Sequence, residues 1–224
     1  RDPGAFPSII TPAGEGTCVI GGLREDTTCV LDGFTITGGH GHYGGGLALR
    51  GGSSPVVRNL VIYNNRADLG GGVFCNASSP LFENVLIFSN EADMGGAFAC
   101  NVGASPRIVR ATIAGNSADA GAAVFANGAS PYLENCIIAH NSGGEAISAQ
   151  TRGSTVTFAC CDLWDNRPSD FGGFAGPEMG LKDNVAVDPM FLDREAFDFG
   201  LSGDSPCRDV PDCGRIGSSL TRAP

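Results

Sequence analysis

Lysine is almost missing from this chain. Lys182 is the only one in 224 residues, and the other basic residues are scattered arginines. With 14 basic against 24 acidic residues the formal net charge is −10, so the basic stripe of a nucleic-acid-binding protein is absent and nucleic acid is not an expected partner. No apolar run approaches the ~18 residues of a membrane-spanning helix. No stretch carries the ten or more residues of helical periodicity that a leucine-rich or ankyrin repeat requires. Nine cysteines are present without a Cys-x-x-Cys pair, which argues against a zinc site. A nucleophile elbow, a phosphate loop and a Ser/His/Asp set are also lacking, and His40, His42 and His140 read as turn or surface residues. No signal peptide stands at Arg1, so the chain is expected to be a mature protein or a part of a longer one.

What the chain has is one phrase written four times. Gly44-Gly-Gly-Leu47 returns as Gly70-Gly-Gly-Val73, Gly95-Gly-Ala-Phe98 and Gly121-Ala-Ala-Val124. Ser-Pro returns at 54–55, 79–80, 105–106 and 130–131, and Asn65, Asn90, Asn116 and Asn141 close the units at steps of 25, 26 and 25. A fixed period of this size marks a solenoid, and the 34 glycines, being periodic, mark its corners rather than low complexity. Within a unit the runs Val73-Phe-Cys75 and Leu81 to Phe88 are short, rich in β-branched and aromatic residues, and bounded by Gly, Ser, Pro and Asn, so they read as strands. The reading is all-β: a right-handed parallel β-helix with three short strands per coil of about 25 residues.

Alternation along the strands predicts what faces inward. Leu47/Leu49, Val73/Cys75, Phe98/Cys100 and Val124/Ala126 stack from coil to coil, as do Leu60/Ile62, Val85/Ile87, Ala111/Ile113 and Cys136/Ile138, with Val57, Phe82, Ile108 and Leu133 between them. Phe34-Thr-Ile36 with Gly39, and Cys161-Asp-Leu163 with Asn166, extend the register to at least six coils. Residues 1–43 are an entry segment with the first coils, 44–166 the regular helix, 167–182 an aperiodic loop and 183–224 a closing segment, all in one domain. Pro3, Pro7 and Pro12 suit a terminus.

Cys75, Cys100, Cys136 and Cys161 fall on inward positions as free buried thiols. Cys207 and Cys213, close together in the loop-rich tail, are expected to form a disulfide and hence an oxidising, extracytoplasmic setting. Cys18 and Cys29 could pair in the first coil, and Cys160 takes the slot held by Asn59, Asn84 and Asn135.

The coils resemble those of bacterial right-handed parallel β-helix repeat proteins. Gly70-Gly-Gly-Val73 and Ile87-Phe-Ser-Asn90 are similar to the two short motifs of the chlamydial polymorphic outer membrane proteins, Gly-Gly-aliphatic and Phe-x-x-Asn, although this chain uses Ile62, Ile87, Ile113 and Ile138 where that family prefers Phe. The phrase Asp188-Pro-Met-Phe191, followed by Phe197 and Leu201 and by Ser205-Pro, resembles the segment that closes many such helices. The resemblance implies the pectate-lyase-like superfold, which hosts lyases, hydrolases, epimerases, adhesins and phage tailspikes. Hydrolases of that superfold typically use an Asp-Asp step, which this sequence lacks. A lyase of that superfold would need clustered Ca²⁺-binding carboxylates, and the nearest candidate is the ladder Asp68, Asp93 and Asp119, with His42 one coil earlier. The reading adopted is that each of these aspartates caps the glycine corner two residues on; a Ca²⁺ or substrate site is the alternative. The Asn and Ser ladders read as turn devices.

No catalytic residue, cofactor site or firm metal site is therefore assigned, Ca²⁺ on the aspartate ladder being the one cofactor candidate. The expected function is an extracellular, cell-surface or periplasmic module of a larger bacterial protein, of the adhesion or carbohydrate-contacting kind and without catalysis. The alternative is a polysaccharide lyase or glycoside hydrolase. An apolar outer stripe, Val61/Tyr63, Leu86/Phe88, Thr112/Ala114, Ile137/Ala139 and Trp164, calls for cover by Met190, Phe191, Phe197, Phe199 and Leu201, or else for self-association or a protein partner.

Overall fold

The structure is a computed structural model that describes residues 8–22, 24–175 and 183–220. Residues 1–7, with Pro3 and Pro7, and 176–182, with Lys182, lie outside the described residues.

One coil shows how the sequence makes the tube. Val73–Asn76, Leu81–Glu83, Leu86–Phe88 and Glu91–Met94 are four short strands. Each pairs in parallel with its counterpart in the coils before and after, Phe82 with Val57 and Ile108, Ile87 with Ile62 and Ile113. The result is parallel sheets of seven, seven, six and five strands. Three of them carry the strands read from the sequence; the five-stranded sheet adds the segment that follows each asparagine. Within the expected loop 167–182, Phe171–Gly173 pairs with Ile147–Ala149 and continues the stack.

A left-handed residue ends each strand. After Val73–Asn76 it is Ala77 at φ 48°, then Asn84 at 53°, Ser89 at 52° and Gly95 at 74°. Only the last of these corners demands glycine. A Cβ on Gly95 would lie 2.5 Å from the Phe98 carbonyl oxygen, and one on Gly121 2.6 Å from that of Val124. At the other corners no carbonyl of the same turn stands in the way: Gly103, Gly115 and Gly128 have nothing within 4 Å of an added carbon, and non-glycine residues such as Ala77, Ser89 and His140 sit there. That is why glycine repeats strictly at one corner and drifts at the rest.

The inward ladders form one continuous core in which Ile62, Phe82, Ile87, Phe98, Ile108, Ile113 and Leu133 are wholly buried. Beside it runs a buried asparagine column. The Asn90 amide nitrogen donates to Ile62 O (3.0 Å), Phe88 O (3.0 Å) and Asn116 Oδ1 (3.0 Å), and Asn116 Oδ1 also accepts from the Asn90 backbone N–H (3.0 Å). The column runs unbroken from Asn65 through Asn141 to Asn166, which ends it on the Asp170 carboxylate at 2.8 Å. Each amide thus meets backbone groups that the tight corner would leave unpaired.

The closing segment covers the apolar stripe. Val185 bridges to Asp162 on the last coil, and the chain then turns back over the outer face as an antiparallel pair, Phe191–Asp193 with Asp198–Leu201. Phe199 packs with Val61, Leu86, Phe88 and Ala114, while Leu201, Cys207, Val210 and Ile216 pack with Ile137 and Ala139. Of the five residues expected to cover the stripe, Phe191, Phe199 and Leu201 do so and Phe197 reaches Phe88 while staying half-exposed, whereas Met190 is exposed; the stripe beneath is covered and not free for self-association.

Candidate functional site

The tail forms one wall of a groove. Sheet corners supply Asp32, Arg58, Asn59, Glu83, Asn84 and Arg110, and the tail supplies Arg215, Gly217 and Ser219, around about 390 Å³. The tail is held there by backbone and amide bonds. Gly217 N–H donates to Asn135 O (2.8 Å), Ser218 N–H to Thr112 Oγ1 (3.0 Å), and the Ser219 N–H and hydroxyl to Asn84 Oδ1 (2.8 and 2.9 Å).

The carboxylates of this groove are already engaged. Arg58 Nε donates to Asp32 Oδ2 at 2.9 Å and the Asn59 amide to Asp32 Oδ1 at 2.7 Å; Arg110 pairs with Glu83. Asn59 and then Arg58 hold the Asp32 carboxyl below the usual carboxylate range despite some desolvation, so it stays ionised and is a poor proton donor. The Asn84 amide donates to Asn59 Oδ1 at 2.7 Å, continuing the polar column. Arg215 is exposed, and no described acidic residue pairs with it. Two carboxylates and three guanidinium groups leave this groove net cationic on an acidic chain.

The aspartate ladder lies elsewhere. Asp68, Asp93 and Asp119 are exposed on the five-stranded sheet, in register one coil apart. They do not cap the glycine corners as expected. The Gly70 N–H donates to Met94 O (2.9 Å) and the Gly95 N–H to Ala120 O (3.0 Å), so the ladder to the next coil has already taken those donors. Asp68 instead bonds His42 Nδ1 at 2.6 Å, and that hydrogen bond raises the imidazole pKa. The oxygens of Asp68, Asp93 and Asp119 do not gather within 4.8 Å of one another, whereas calcium needs several at about 2.3–2.6 Å. His140 meets Asp165 at 3.1 Å.

The disulfide expectation is corrected. Cys213 is bonded to Cys160, 53 residues away, and Cys207 is a buried free thiol whose Sγ donates to Asp162 Oδ2 at 3.6 Å. Cys160 occupies a corner slot whose side chain faces the tail, so the fold brings Cys213 to it and turns Cys207 inward. Cys18 and Cys29 are also free, and Cys75, Cys100, Cys136 and Cys161 are free and buried. The signal for the true pairing was the replacement of the corner asparagine by Cys160. The groove had no signal in the sequence, because its second wall comes from the tail.

The parallel coils and the tail define a β-solenoid with a groove on its outer face. The family model for a right handed beta helix region matches residues 9–163, and the chain belongs to that family. No curated protein and no solved structure matches it.

Proposed function

We propose that this β-helix is a non-catalytic binding module of the adhesion or carbohydrate-contacting kind, an extracellular part of a larger bacterial protein, and that it holds a glycan in the groove between the sheet corners and the tail. The observation that carries this reading is the pairing of the groove's charges. Asp32 and Glu83 are each tied to an arginine and Asn59, Asn84 and Ser219 are bonded to one another and to Asp32, a fixed polar wall that leaves Arg215 as the exposed cation without an acidic partner among the described residues. Such a set suits hydroxyl and carboxylate recognition and lacks the free acid and base that bond cleavage requires. The Cys160–Cys213 bond fits an oxidising compartment. Calorimetric titration with neutral and acidic oligosaccharides tests it. Binding that Arg215→Ala weakens about tenfold, the loss of roughly one charge-assisted hydrogen bond, is expected.

A polysaccharide lyase or hydrolase is the second reading, favoured by the exposed His42–Asp68 pair beside Asp93 and Asp119. Incubation with pectin and alginate, with and without Ca²⁺, decides it. Product that disappears in Asp68→Asn or Asp93→Asn would establish this reading in place of the first.

A further inference from the structure

The corner column that lines the groove ends at a second cluster. Asn59, Asn84, Arg110, Asn135 and Cys160 occupy one corner slot, all with φ between 52° and 54°. Asp162 faces Val185 in parallel register, which places Asp183, two residues before Val185, over Cys160; its φ is 62°. Cys213 reaches the same point from the tail. The two Sγ atoms and a carboxylate oxygen of Asp183 all lie within 4.8 Å of one another, and among the described residues no other group of three such donors converges so closely.

A disulfide uses two of these donors and leaves the third idle. The other stacked thiols, Cys75 with Cys100 and Cys136 with Cys161, are wholly buried in the apolar core and have no oxygen or nitrogen donor of this kind beside them. At this site Asp183 is exposed and Cys160 and Cys213 are half-buried, so reductant and ion both have access. We propose that in the reduced protein Cys160, Cys213 and Asp183 bind a thiophilic divalent cation of the Zn²⁺ class, and that disulfide and metal are alternative occupants of this position.

The chemistry balances with a dithiol as co-reactant. Two electrons from its thiols cleave the Cys160–Cys213 bond, giving two cysteine thiols and the dithiol's own disulfide. The ion then replaces both thiol protons, which leave to solvent. Two thiolates and one carboxylate supply three ligands, and water fills the fourth position of a tetrahedral site. Ligand lengths of about 2.3 Å to sulfur and about 2.0–2.2 Å to oxygen put donors roughly 3.5–3.8 Å apart. From bonding distance the two sulfurs would have to part by roughly 1.5–1.8 Å, a movement we assign to the tail turn that carries Cys213. Either occupant clasps the tail to the last coil. The absence of Cys-x-x-Cys hid this site, because its donors come from three separate stretches.

The test uses the full chain, reduced with a water-soluble phosphine and freed of it under argon, then titrated with Co²⁺ and afterwards Zn²⁺. The expected result is a thiolate-to-cobalt charge-transfer band that saturates at one ion per chain, is bleached by Zn²⁺, and is absent from the oxidised protein. Cys213→Ser and, independently, Cys160→Ser should lose the band while the far-ultraviolet dichroism keeps its β signature. Asp183→Asn should weaken binding by at least the ~10-fold that losing even an outer-shell partner costs. Re-oxidation with a diazene dicarboxamide, itself reduced to the hydrazine, should expel the ion. No band, or a band that survives in both serine variants, would overturn the site. Unchanged affinity in Asp183→Asn would overturn the three-donor assignment.

Discussion

Asn116 shows what a single residue holds in this fold. It is wholly buried, its amide nitrogen donates to Ile87 O (3.1 Å) and Asn141 Oδ1 (3.1 Å), and its oxygen accepts from the backbone and side chain of Asn90 (3.0 Å each). Asn116→Ala would orphan several buried groups at about 1–3 kcal/mol each, so a loss on the order of 3 kcal/mol or more is expected in urea unfolding. The column was legible because the asparagines recur at the coil period. The role of the aspartates was not, because the donors expected to bond them are taken by the neighbouring coil, a tertiary fact. Asp162 was equally hidden. It sits on the outward face where other coils place Val61, Leu86 and Ile137, yet the tail buries it, and its Oδ1 accepts from the Val187 N–H at 2.9 Å. Burial is the main cause that pushes its carboxyl up to about 7. The unfolded value is about 3.9, so the folded state binds this proton more tightly. Its stability contribution is therefore full below about pH 4 and is lost as pH rises toward 7. Asp162→Asn should raise the melting temperature at pH 8, leave it nearly unchanged at pH 4, and flatten the decline between; an unchanged decline would assign it to other groups.

At the scale of the element, three of the four strands in each coil were readable because each pairs inward apolar residues with turn signals on both sides. The fourth was not. Glu91–Met94 and Arg66–Leu69 bury only Ala92 and Ala67, too small a signal against exposed charged neighbours. The strand Phe171–Gly173 carries no strand signal in the sequence because two of its three residues are glycine. The inward register can be tested directly. Ile87 is wholly buried, and Ile87→Ala should cost about 2–5 kcal/mol as a core cavity. The glycine corner is tested by Gly96→Ala, whose Cβ would lie 2.6 Å from both the Ala122 and Ser117 carbonyl oxygens. Both obstacles are backbone, so this one methyl should lower the melting temperature more than Gly103→Ala, where nothing stands within 4 Å and only the positive φ opposes the change. Ala122 fills the same slot as Gly96 one coil on, where the chain from Ser142 to Ile147 takes a shorter corner.

Across the whole molecule, the tail completes what the coils begin. It covers the outer stripe, forms the groove's second wall, and is fastened by the Cys160–Cys213 bond. Spacing in the sequence favoured Cys207, six residues from Cys213, whereas the folded path places Cys213 against a coil corner 53 residues away. Closing a loop of that length constrains the unfolded chain by about 4 kcal/mol in the chain-entropy account, so Cys213→Ser should melt well below the parent protein under oxidising conditions. Peptide mapping without reductant should find Cys207 alkylated after denaturation and Cys160 joined to Cys213. One sample decides whether the groove holds a glycan without cleaving it: an oligosaccharide that binds in calorimetry, kept with the protein and then assayed for chain cleavage. Saturable binding, about tenfold weaker in Arg215→Ala, with the oligosaccharide recovered intact, is the expected result. Cleaved product, or binding indifferent to Arg215→Ala, would contradict it.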